Sequence, residues 1–139
     1  AEAFYLLGNY SISQDWNLDA ALKHFTSVER ENRKSLYRQP AQIRIKEITS
    51  YIESKLDFIP WESRISASDT IADFHFSVTE QIELSKILYS LNELESFHFN
   101  RSDSGLVYLD LLIQFADQSK FWLNHFQDKY SVESQFWLL

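Results

Sequence analysis

The chain has 139 residues, 45% hydrophobic and 16% aromatic, with a formal net charge of −7, two glycines, two prolines and no cysteine. That length holds one ordinary core, and the composition is too apolar for a disordered chain. The missing cysteine excludes disulfides, thiolate catalysis and cysteine-based zinc sites, and the scarcity of glycine argues against a glycine-rich phosphate loop.

The charge is unevenly spread. Residues 23–55 carry four more basic than acidic side chains, whereas residues 56–139 carry eight more acidic than basic. Because acids interleave the basic stretch, it reads as a solvated helical face, and nucleic acid is not an expected partner. No apolar run approaches the roughly 20 residues of a membrane span. The lack of an initial methionine and the apolar ending Gln135-Phe136-Trp137-Leu138-Leu139 read as an excised or processed chain, with a membrane anchor conceivable outside it. The absence of cysteine removes any redox hazard, which tilts the expected compartment toward the periplasm or another extracytoplasmic space.

Residues 1–33 read as a helical hairpin: Phe4, Leu7 and Ile12 make one apolar stripe, and Leu18, Ala21, Leu22, Phe25 and Val28 a second. Gly8 is the glycine expected at the crossing, where leucine should disrupt and alanine be tolerated. An aromatic, then Leu7-Gly8, then Ala20 or Ala21, then Phe25 resembles a tetratricopeptide repeat. In that family small residues let paired helices approach, and stacked repeats form a groove for peptides or proteins. No second copy follows at a period near 34. Pro40 separates the hairpin from a third helix, Ala41 to about Ile59, with Ile43, Ile48, Ile52 and Leu56 on one face; Pro60 is expected to end it.

From residue 61 the pattern changes. Strict alternation over 72–79 predicts a half-buried strand with Phe74 and Phe76 inward, and Glu80 to Leu94 returns to helical spacing. Residues 96–100 alternate again, with Phe97 and Phe99 on one parity. Arg101 to Gly105 supplies turn chemistry, Val107, Leu109, Leu111, Ile113 and Phe115 share a parity, Asp117 would cap a last helix, and 135–139 would form a short strand. The expected fold class is therefore α+β: N-terminal helices over 1–60, then a ferredoxin-like βαββα(β) unit over 61–139, the two forming one cooperative domain. The alternative is an all-α, tetratricopeptide-like helical domain, in which 106–130 is one helix. The βαββ pattern also resembles the periplasmic ferredoxin-like modules of pilus and type II secretion assembly proteins, such as the PilO and GspM families.

Little here points to chemistry. Each of the four histidines precedes a phenylalanine (His24, His75, His98 and His125), but none has a histidine or carboxylate four residues away, so no metal is expected. Asp69, Asp73, His75 and Ser77 suggest a triad only by proximity in sequence, which is not geometry. Asn9-Tyr10-Ser11 and Asn100-Arg101-Ser102 fit a glycosylation pattern that matters only in a eukaryotic secretory setting. Adjacent aromatics, Phe121-Trp122 and Phe136-Trp137, cannot both face the same core, which marks Trp122, Phe136 and Trp137 as partner-binding candidates; the alternative is that two layers of a small core bury both of each pair. The reading is a module without catalysis or cofactor that binds a protein or self-associates, in a cell-envelope assembly. The rival reading is a sensory domain holding a small amphipathic ligand in an apolar pocket.

Overall fold

Side-chain caps and left-handed turns set off five helices among the described residues. A computed structural model describes residues 1–66 and 76–116, with side chains up to 114. The helices are α1 (Glu2–Ser13), α2 (Leu18–Glu31), α3 (Arg38–Ser66), α4 (Val78–Glu93) and α5 (Ser102–Ala116), and a π-helical turn, Leu94–His98, follows α4. The contacts group Ala1–Glu53 with His98–Asn100 as one unit, and Ser54–Phe97 with Arg101–Leu139 as another.

In the first unit α1 ends on the C-cap Gln14, and the chain reverses through Trp16, whose φ of 47° is left-handed. The Asn17 N–H returns to the Ser11 carbonyl at 2.8 Å, and the Asn17 side chain accepts the Ala20 N–H at 3.0 Å, capping α2. The expected hairpin is present. Gly8, Ser11 and Ile12 of α1 and Ala21, Phe25 and Val28 of α2 are buried. A Cβ on Gly8 would lie 2.5 Å from the Phe25 ring, so alanine there would collide rather than be tolerated. The core continues through Ala41, Ile48 and Tyr51 of α3, and Trp16, Tyr51 and Phe99 meet edge to face with centroids 5.5–5.7 Å apart.

In the second unit Phe58 and Trp61 of α3 are buried, with Leu84, Leu88, Tyr89 and Leu91 of α4 and Tyr108, Leu109 and Leu112 of α5. Ser77 and Glu80 form a reciprocal capping box that starts α4. Gly105 lets α5 approach closely, since a Cβ there would collide with the Ser96 hydroxyl. Glu95, 1% exposed, sits 3.5 Å from Arg101, whose N–H also donates to the Glu95 carbonyl at 2.6 Å.

These elements overturn the α+β expectation and the ferredoxin-like resemblance, because no strand occurs among the described residues; the all-α alternative fits. The strand expected over 72–79 fails where it is described, since the capping box commits Val78 and Thr79 to α4; residues 72–75 lie outside the described residues. At 96–100 the chain makes a π turn and then a left-handed bend at Asn100, so Phe97 is 52% exposed and Phe99 only 4%. The strand expected at 106–115 is α5, because its buried residues Gly105, Tyr108, Leu109 and Leu112 follow helical spacing. The helix expected from Asp117 and the strand at 135–139 lie outside the described residues.

The third helix also departs from expectation. Pro40 lies in its first turn, where a missing N–H costs nothing, and Pro60 lies within it. Leu56 and Pro60 are both exposed, so water meets the carbonyl that Pro60 leaves without its helical donor. Ile43 and Leu56 face solvent instead of the core, because the bulkier Tyr51, Phe58 and Trp61 occupy the buried side.

Candidate interaction surfaces

The densest polar cluster of the first unit is built on α3. The Arg44 guanidinium donates to the Asn9 side chain at 3.1 Å, to Glu47 at 3.1 Å and to the His98 carbonyl at 2.6 Å. Glu47 also lies 3.5 Å from the His98 ring. Beside it is an open cleft of about 320 Å³ lined by Tyr5, Gln39, Pro40, Ile43, Arg44 and Glu47. A carboxylate, an imidazole and a guanidinium together suggest acid–base chemistry, but the arginine is directed into three protein acceptors. The arrangement ties His98–Asn100 to α1 and α3, which is a structural task. His24 is also occupied structurally, stacked on Phe4 with centroids 6.4 Å apart.

In the second unit Arg64 bonds Glu80 at 2.8 Å and lies over the rings of Phe76 and Trp61, at 4.6 and 5.1 Å from their centroids. The Arg64 hydrogen bond, followed by the Ser77 N–H, holds the Glu80 carboxyl below its ordinary range. Among the described residues no group of three or more histidines and carboxylates is placed to hold a metal ion. No described helix is long and apolar enough to cross a membrane.

What the described surface offers instead is two apolar helix faces. On α1, Ala3, Leu6, Leu7 and Tyr10 share the face turned away from Gly8 and Ile12, with Leu6 and Tyr10 each 57% exposed. No charged residue occurs from Ala3 to Ser13. On α5, Leu106 and Val107 are 50% and 59% exposed, and with Asp103, Leu109, Asp110 and Ile113 they line an open cleft of about 390 Å³. One face is neutral; the other is flanked by acids.

No protein-family model, curated protein or solved structure matches the chain.

The tetratricopeptide resemblance therefore gains no support from families, and only its helical hairpin stands. The expected partner-binding residues Trp122, Phe136 and Trp137 lie outside the described residues, as do His75 and His125. Sequence reasoning missed both exposed faces. It placed Leu7 in the hairpin core and read α5 by strand parity. The signals were available: an uncharged stretch with apolar residues at i, i+3, i+4 and i+7, and the same spacing in Asp103, Leu106, Val107 and Asp110.

Proposed function

We propose that the chain is a non-catalytic interaction module that self-associates through α1. The observation that carries this reading is the exposed, charge-free stripe of Ala3, Leu6, Leu7 and Tyr10. A surface helix normally turns its charged residues to water, and this one has none to turn beyond Glu2. The stripe is also complementary to itself. In a two-fold antiparallel pairing, Ala3 meets Tyr10 of the second copy and Leu6 meets Leu7, so a small residue faces a large one and no like charges oppose.

Covering the exposed halves of six large side chains gains roughly 4.5–9 kcal/mol, against an association cost of at least about 4 kcal/mol. The complex is therefore weak and sensitive to concentration. The rival reading, an amphiphile in an apolar pocket, has less support among the described residues, since the two clefts beside α3 and α5 are open and rimmed by charged side chains. The cell-envelope setting loses the support of the ferredoxin-like resemblance.

Sedimentation equilibrium from about 10 µM to 1 mM tests the proposal. The average mass should rise with concentration for the wild type and stay monomeric for Leu6→Glu. Ala3→Glu alone should weaken association and adding Tyr10→Lys should restore it, because the two-fold sets those positions opposite each other. A wild type that stays monomeric throughout, or a Leu6→Glu chain that still associates, would overturn it.

A further inference from the structure

We infer that the exposed face of α5 is a docking site for a cationic amphipathic helix of a partner protein. The inference goes beyond self-association, and it rests on the binding-module reading only in treating the chain as non-catalytic. Its basis is how charge and apolar area combine on one face. Gly105, Tyr108, Leu109 and Leu112 are buried, which commits one side of α5 to its own unit. The opposite side presents Leu106 and Val107, with Asp103 one turn before them and Asp110 one turn after. Ile113 extends the apolar surface.

Asp103 and Asp110 are seven residues apart, about 10.5 Å along the helix, so they bracket the apolar centre at both ends. Gln114 donates to one oxygen of Asp110 at 3.0 Å. Among the described residues no cation pairs with either aspartate.

The bracket selects the occupant. If a second copy lay along this face, antiparallel pairing would set Asp103 against Asp110, and parallel pairing would set each aspartate against itself. Both place like charges at the ends of the contact, so pairing of α5 with α5 is opposed here, unlike pairing of the neutral α1 stripes. Anionic membranes and nucleic acids are repelled for the same reason, and by the acidic balance of residues 56–139. A helix with apolar residues at i, i+3 and i+7 and a Lys or Arg near each end satisfies both parts of the face, as in helix-in-groove recognition.

The test uses the full chain in the Leu6→Glu background, so that self-association through α1 does not interfere. Two designed helical peptides of about 18 residues serve as probes, sharing one leucine stripe and carrying either lysines or glutamates at its ends. Fluorescence anisotropy should show binding of the lysine peptide, weakened by salt, and little of the glutamate peptide. In Asp103→Lys/Asp110→Lys the preference should reverse, with each affinity changing by about tenfold or more. Binding of the glutamate peptide to that variant also shows that it is folded.

Equal binding of the two peptides, loss of all binding, or a preference that survives the charge reversal would overturn the inference. So would dimerisation that Val107→Glu abolishes, since that assigns the face to a second copy. The peptide outcomes leave the α1 proposal untouched, since that proposal is read by sedimentation on other residues, whereas a Leu6→Glu chain that dimerises through Val107 would overturn both.

Discussion

Trp16 and Asn100 both hold left-handed backbone, at φ 47° and 55°, and in each case the next N–H reaches back six residues, from Asn17 to Ser11 and from Arg101 to Glu95. Each turn leads into a helix, α2 in one case and α5 in the other. The residue types could hardly differ more. Asparagine enters this region readily, whereas a bulky side chain costs roughly 1–2 kcal/mol there. Trp16 stays because its ring packs edge to face on Tyr51 and Phe99, contacts of about 0.5–1.5 kcal/mol each beyond their burial. The turn into α2 is thus held by tertiary contacts, and the turn into α5 by a locally tolerant residue.

Glycine scanning separates these two causes. Trp16→Ala should destabilise by about 2–4 kcal/mol in urea denaturation, because it loses the ring contacts and keeps the strain. Trp16→Gly should be milder by about 1 kcal/mol, since glycine removes the strain alone. If alanine and glycine cost the same, the backbone at 16 is not the strained element. At Asn100 the effects shrink: alanine should cost about 1 kcal/mol and glycine less than about 0.5 kcal/mol. A loss at Asn100→Gly as large as that at Trp16→Ala would erase the contrast.

The smallest effect expected concerns a purely local device, the Ser77–Glu80 box with Arg64. The Glu80 carboxyl is held low in the folded chain, so its contribution is present at neutral pH. It fades as the pH falls below the ordinary glutamate value of 4.5 and through the lower folded value. Glu80→Gln should therefore be slightly less stable than the wild type at pH 7, with the difference closing as the solution is acidified. A gap that widens in acid would show that the pairing does not act as described.

Much of the helical content was legible from residues 1–33 and 80–94, where apolar spacing, the polar break near Trp16 and Gly8 all signal helices within a few residues of sequence. Ser77-x-x-Glu80 was equally readable as a helix start, but the alternation before it drew the reading toward a strand. Residues 106–115 satisfy two periods at once, since a leucine-rich run contains both a parity and a helical stripe. The candidate surfaces were less legible, because an exposed apolar face and a buried one look alike in sequence.

What the sequence by itself determined is local: where helices begin, where glycine must pack and where charge is missing, because caps, sterics and charge act over one or two turns. What only the tertiary structure decided is which of two apolar faces each helix buries. Tyr51, Phe58 and Trp61 exclude Ile43 and Leu56 from the core, and Phe99 goes inside while Phe97, two residues earlier, stays in water. Burial depends on what the other helices supply to fill the space, and close packing accepts one such arrangement among several that the pattern permits.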